Sequence, residues 1–228
     1  MSQYYVRKSI TRSPDDRELA KRYAEFGVAT VAEAQGKQGI MDHRIRPIQT
    51  DQAVAGRAVT VVTPAGDNLM IHAAIEVCQP GDILVVSSLA PSIHGAFGEL
   101  LATACQKRGV AGVILDLGVR DTAAIRRMEL PVWARAVYTG GTVKNSPGRV
   151  NGPIVCGGAT VSPGDFIVAD DDGVVVVASQ DLESVRASAE KRVEKEQQTR
   201  RKIEAGELSV DFYNLRPLLS DLGVDYLE

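Results

Sequence analysis

Gly95-Ala96-Phe97-Gly98-Glu99-Leu100-Leu101-Ala102-Thr103-Ala104, read with Leu115-Asp116-Leu117-Gly118-Val119-Arg120-Asp121 downstream, is the stretch around which the chain is organised. Leu100, Leu101, Ala104 and Cys105 recur at helical spacing and Gly109 supplies a stop, which predicts a helix over about 97–108. Ahead of it, Gly81 to Val86 is a short apolar run opened by Pro80-Gly81, the mark of a buried strand; behind it, Val110 to Asp116 is a second. Asp121 to Met128 reads as a short helix and Pro131 to Val137 as the next strand. Crossovers of this β-α-β-α-β kind make neighbouring strands parallel. In such sheets ligands sit beyond the carboxyl ends of the strands. The loops 87–99 and 117–121 both leave such ends, so Glu99, Arg120 and Asp121 are expected to converge on one cleft.

The chain has 228 residues, 44% apolar and 24% charged, the proportions of an ordinary soluble domain with a sizeable core. A net charge of −3 argues against a general nucleic-acid or membrane-surface role. The start, MSQYYVRKS, lacks the apolar core of a signal peptide, and no run of apolar residues reaches membrane-spanning length. Cys78, Cys105 and Cys156 stand far apart without a CxxC, so they read as inert packing residues in a reducing cytoplasm.

Taken in order, Ser13-Pro14-Asp15-Asp16 reads as the start of a helix that stops at Gly27, and Thr30 as the cap of a second one to Gln35. A strand is expected at Gly56 to Thr63. Asp67 reads as the cap of a helix on which Leu69, His72, Ala73 and Val77 share one apolar face. His72 is therefore expected as a hydrogen-bonded core histidine, and His94 as a structural or exposed loop residue. Short strands are expected at 153–156, 159–161, 165–170 and 173–177, with Asp170-Asp171-Asp172-Gly173 an acidic turn between two of them. Pro163-Gly164-Asp165-Phe166-Ile167-Val168 echoes Pro80-Gly81-Asp82-Ile83-Leu84-Val85.

From Gln180 to Gly206 the pattern is one charged helix of about 36 Å at about 1.5 Å per residue, long enough to project past its own core. The expected division is an α/β domain over 1–180 and a helical extension over 181–228. Glu196 falls on the apolar stripe of Leu182, Val185, Ala189 and Val193; either that stripe has reached solvent there, or the glutamate faces a neighbour. The tail from Val210 to Leu227 is apolar enough to be expected packed on this or another subunit.

A strand-end aspartate is a hard ligand for magnesium or manganese, an adjacent arginine is a planar fork for a carboxylate or an oxyanion, and a helix start offers N–H groups to an anion. That set suits a 2-oxo acid and chemistry through an enolate. From spacing alone, the same residues also fit a surface Arg-Asp pair at a helix start.

The segments Asp67-Asn68-Leu69 with His72-Ala73, Gly98-Glu99-Leu100 with Ala102-Thr103-Ala104, Gly112-Val113-Ile114-Leu115-Asp116 with Val119-Arg120-Asp121, Pro131-Val132-Trp133, and Pro163-Gly164-Asp165 ending in Ala169-Asp170-Asp171-Asp172-Gly173-Val174 resemble the class II 4-hydroxy-4-methyl-2-oxoglutarate / 4-carboxy-4-hydroxy-2-oxoadipate aldolases. The regulator of ribonuclease activity A belongs to the same superfamily. The resemblance implies a swivelling β/β/α domain with a parallel βαβ core and a long C-terminal helix, assembled as trimers or hexamers. It implies cleavage and oxaloacetate decarboxylation dependent on Mg2+ or Mn2+, in aromatic-acid catabolism. Carried over, Asp121 is the metal ligand, Arg120 holds the keto or enolate oxygen, and Gly98, Glu99, Leu100 and Leu101 bind the pyruvyl carboxylate. Glu99 stands near the metal-bound water, and Glu196 resembles the acid sent into a neighbouring subunit's site. The shorter ribonuclease regulator, a non-catalytic protein-binding module, lacks the extended helix, which favours the aldolase.

Overall fold

The apolar runs of the central segment lie side by side as parallel strands in the computed structural model, which describes residues 3–227. In chain order, β1 (Tyr5–Val6), α1 (Asp16–Ala34) and β2 (Arg46–Pro47) precede the long β3 (Val54–Thr63) and α2 (Leu69–Val77). The centre follows as β4 (Ile83–Ser88), β5 (Gly95–Phe97), α3 (Glu99–Lys107), β6 (Gly112–Val119), α4 (Thr122–Ile125) and β7 (Val132–Val137). Short strands come next: β8 (Arg149–Val150), β9 (Ile154–Cys156), β10 (Ala159–Val161), β11 (Phe166–Asp170) and β12 (Gly173–Val177). A 3-10 turn (Ser179–Asp181) then opens α5 (Leu182–Glu204), followed by α6 (Ser209–Phe212) and α7 (Leu215–Asp221).

β3, β4, β6 and β7 run parallel in that spatial order. β3 is the hinge of the architecture: Val54 to Arg57 pair antiparallel with β11, whereas Ala58 to Thr63 pair with β4. Strand alternation sorts the side chains onto two faces. Leu84, Val86, Val113 and Leu115 pack with Ile71, Ala74, Leu101, Ala102 and Cys105 of α2 and α3. Ile83, Val85, Ile114 and Trp133 pack with Ile154, Cys156, Val161, Ile167 and Val176 of the later strands. The result is a β/β/α layering in which the central strands are covered on both sides. Truncating a side chain such as Leu84, fully buried between these layers, to alanine is expected to cost about 2–5 kcal/mol.

Several boundaries differ from the sequence expectation for physical reasons. Gly95 to Phe97 pair with the end of β6 as a strand, so α3 begins only at Glu99. Ser13 and Pro14 lie in a turn ahead of α1, which starts at Asp16 behind Asp15. The break at Gly27 is present (φ 76°, ψ 162°), but the helix resumes at once, because the Asp170 carboxylate accepts the Val28 N–H at 2.7 Å, in place of a cap by Thr30. Asp170 to Gly173 form the acidic turn between β11 and β12. The two Pro-Gly-Asp segments are the same turn twice: Asp82 Oδ2 accepts the Gln79 N–H (2.8 Å) and Asp165 Oδ2 the Ser162 N–H (2.7 Å), behind left-handed Gly81 and Gly164. All three cysteines are buried; burial pushes the Cys78 thiol up to about 12 and raises the other two further, so none is a ready nucleophile.

Two compact units divide the chain, one running through Ala189 and one from Glu190. In the first, Leu182, Val185 and Ala189 of α5 are buried. In the second, Phe212 and Tyr213 stack at 4.5 Å and Arg216 pairs with Asp211 at 2.5 Å, but Leu218, Leu222 and Tyr226 are exposed. These apolar residues of the tail, expected to pack on this or another subunit, are exposed in the single chain. No helix among the described residues is long and apolar enough to cross a membrane.

Candidate active site

The carboxyl ends of β5 and β6 meet where Arg120 donates its N–H to the Phe97 carbonyl (2.9 Å), and Tyr138, just past β7, donates to that of Val119 (3.0 Å). β6 then gives way, ahead of α4, to Asp121, whose left-handed conformation (φ 57°) is one that aspartate tolerates better than bulkier residues. This bend returns the Asp121 carboxylate to the start of α3, where Oδ2 accepts the Glu99 N–H at 3.2 Å. Arg120 Nε lies 3.8 Å from the same oxygen. Gly98 fits because a Cβ there would collide with Asp121 Oδ2 and press on the Arg120 side chain. Ala102 donates to the Gly98 carbonyl (3.0 Å), so the N–H groups ahead of it are those a helix leaves for an outside acceptor.

These elements enclose a cleft of about 160 Å³ lined by Gly98, Leu100, Leu101, Arg120 and Asp121 together with Asn68, His72 and Lys144. Arg120 and Asp121 are half exposed, at 48% and 46%, and so are open to a ligand. Of the residues expected at the site, Gly98, Leu100, Leu101, Arg120 and Asp121 are brought together. Glu99 contributes its N–H, while its side chain is exposed. Glu196 belongs to the second unit, where it pairs with Arg192 at 2.8 Å and lines a groove with Thr199, Ile203 and Tyr213.

His72 corrects the sequence reading: it is exposed on α2 and faces the cleft, not the core. Desolvation, then the Lys144 charge, pulls its imidazole below the usual value. His94 is exposed, with Nδ1 3.3 Å from Ser92 Oγ and its ring against Tyr138.

Lys144 was not singled out from the sequence, and Asn68 stood in a quoted segment without a role at the site. Lys144 sits in a loop of Gly, Thr, Val and Ser that carries no periodic signal, and long-range bonds place it. Asp67 Oδ2 accepts the N–H groups of Asn145 (2.7 Å) and Ser146 (2.8 Å), while Oδ1 accepts that of Leu69 (2.8 Å). Asn68, 8% exposed, donates Nδ2 to the Ala96 carbonyl (2.9 Å) and leaves Oδ1 without a partner among the described residues. An orphan buried acceptor on the wall of a cleft is costly unless a ligand or water donates to it.

Among the described residues no three His, Cys, Asp or Glu side chains cluster to enclose a metal. Magnesium, however, is commonly held through one or two carboxylates, with waters and substrate oxygens completing the octahedron. The half-exposed Asp121 carboxylate at the cleft mouth fits that donor set, and Asp121 is the residue that would hold the ion.

The architecture and this cleft define the class. Residues 28–176 match the RraA-like family, described as Aldolase/RraA, and the chain belongs to that family. One relative is a Halalkalibacterium halodurans protein provisionally named 4-hydroxy-4-methyl-2-oxoglutarate aldolase, 30% identical over 74% of this chain and 80% of its own. An Aromatoleum aromaticum protein of the same provisional name is 34% identical over 68% of this chain and 98% of its own. Among solved structures, Streptomyces coelicolor RraAS2, described as an unusual member of the RNase ES inhibitor RraA family, superposes with a TM-score of 0.74. It is 26% identical and matches 82% of this chain and 98% of its own.

Proposed function

We propose that this chain is a carbon–carbon lyase dependent on Mg2+ or Mn2+. It would cleave 4-hydroxy-4-methyl-2-oxoglutarate and 4-carboxy-4-hydroxy-2-oxoadipate to pyruvate plus pyruvate or oxaloacetate, and decarboxylate oxaloacetate. The observation that carries this reading is the convergence of Arg120, Asp121 and the α3 start on one small cleft. The provisional names of the relatives support the aldolase class.

In this reading the N–H groups of Leu100 and Leu101 at the α3 start bind the carboxylate of the pyruvyl half, that of Glu99 being held by Asp121, and the Arg120 fork faces the C2 oxygen. A divalent ion held by Asp121 would supply Lewis acidity there. A base takes the proton of the C4 hydroxyl and the C3–C4 bond breaks. The electron pair becomes the enolate of pyruvate, whose oxygen Arg120 stabilises, and C3 is then protonated. In oxaloacetate, loss of carbon dioxide leads to the same enolate. Lys144 adds positive charge on the wall of the cleft and His72 a neutral imidazole, which suits substrates with more than one carboxylate.

We assign Glu196 to the cleft of a neighbouring copy, in a homotrimer or homohexamer, as the acid that serves the hydroxyl proton. Leu89, Ile93, Leu100 (86% exposed), Val137, Tyr138 and Val143 are bare apolar groups on or near the loops around the cleft, an apolar rim that a second copy would cover. The competing reading is a non-catalytic protein-binding regulator of a ribonuclease, favoured by the likeness to RraAS2. Pyruvate release from oxaloacetate with and without added Mg2+ separates the two. Metal-dependent release supports the lyase; no release at any metal concentration rejects it.

A further inference from the structure

At the opposite ends of β4 and β6 from the cleft, where the strands begin, a cavity of about 620 Å³ lies between the start of α1 and the sheet. Its volume falls within the usual range for small-molecule sites, about 300–1,000 Å³. The floor is Ala20, Ala55, Gly56 and Ala111, all too small to fill it. Gly56 has no alternative, since a Cβ there would collide with the Gly81 carbonyl. The walls carry Arg12, Arg17 and Arg57 against Asp16 and Asp82.

Two of the arginines are committed. Arg12 grips the buried Asp82 through Nε (3.1 Å) and Nη2 (2.6 Å), and Arg57 grips Asp16 through Nε (2.9 Å) and Nη2 (2.6 Å). The twin turn shows that the first pair is structural: there Asp165 takes the Ser179 N–H (3.0 Å) as its second donor, and Arg12 supplies the equivalent donor to Asp82. Arg17 has no ion pair or hydrogen bond among the described residues, which leaves the cavity one cation in excess.

We propose that this cavity binds an organic monocarboxylate, with its carboxylate on the Arg17 fork and its apolar body on the alanine and glycine floor. A planar guanidinium matches one carboxylate. A doubly charged phosphate would face Asp16 and Asp82 with a single uncommitted cation and would leave the apolar floor bare. The inference stands apart from the aldolase reading, because the cavity and the cleft lie at opposite ends of the central strands.

The test is calorimetric titration with benzoate of the full chain carrying Arg120→Ala, which takes the arginine fork out of the cleft. Saturable binding of one benzoate per chain is expected. Adding Arg17→Ala should weaken it about tenfold, the loss of one charge-assisted hydrogen bond. Adding Ala20→Leu, which projects a larger side chain from α1 into the slot, should abolish it, and inorganic phosphate at equal concentration should not displace benzoate. Absence of binding in the Arg120→Ala protein, indifference to Arg17→Ala, or displacement by phosphate would each overturn the proposal. Arg17 is exposed, so its variant should fold and decide the matter even where Ala20→Leu does not.

Discussion

Replacing Asp67 by asparagine should loosen the cleft from behind. Asp67 is 2% exposed, and its two oxygens accept three main-chain N–H groups, from Leu69, Asn145 and Ser146. The substituted amide would keep only one oxygen. If its nitrogen takes the Oδ2 place, two donors lose their acceptor; if it takes the Oδ1 place, one does. Each buried donor left unpaired costs about 1–3 kcal/mol, so Asp67→Asn should destabilise by about 2 kcal/mol at pH 7 in urea unfolding at fixed protomer concentration. Desolvation raises the Asp67 carboxyl, but the three donors outweigh it and hold it below its usual value. A folded-state pKa depressed in this way gives stability that is present above the unfolded-state value, near pH 4, and is lost as pH falls through the folded one. The gap between wild type and variant should therefore narrow below about pH 4. Because the lost bonds also hold the residue after Lys144, KM should rise more than kcat falls. An unchanged urea midpoint at pH 7, or a gap that stays constant into acid, would refute the reasoning.

How much of this was legible in the sequence depends on the range of the interaction involved. β4, β6 and β7 announce themselves as continuous apolar runs because both their faces are buried, and the Arg120-Asp121 bend follows from a strand ending at a helix. Local pattern also found the break at Gly27 and the acidic turn at Asp170. It missed what is set at a distance. The helix restart at Val28 is fixed by a carboxylate 142 residues away. The α3 boundary moved because Gly95 to Phe97 found a strand partner in β6. His72 shares its helical face with Leu69 and Ala73, so periodicity assigned it to the core; α2 ends its cover at the cleft mouth, where that position meets solvent. Lys144 had no pattern at all, since only Asp67 tells the chain where that loop goes.

The remaining predictions bear on the chemistry. Asp121→Ala should abolish pyruvate release while the circular dichroism spectrum is kept, and wild type should be silent in excess chelator and recover with Mg2+ or Mn2+; full turnover in chelator would end the metal-enolate reading. Arg120→Lys keeps the charge but loses the fork, and should lower both aldol cleavage and oxaloacetate decarboxylation by about 10²–10³; near-normal decarboxylation would show that Arg120 serves another role. Glu196→Gln should separate the two reactions. Cleavage needs a base for the hydroxyl proton, whereas decarboxylation loses carbon dioxide and needs none at that step. Cleavage should therefore fall further than decarboxylation, with oligomer size unchanged. If Glu196 serves a neighbour's cleft, mixing this variant with Asp121→Ala chains under exchange conditions should restore some activity, because a fraction of clefts would regain both groups. Equal loss of both reactions, without recovery on mixing, would reduce Glu196 to the partner of Arg192 that it is within its own helix.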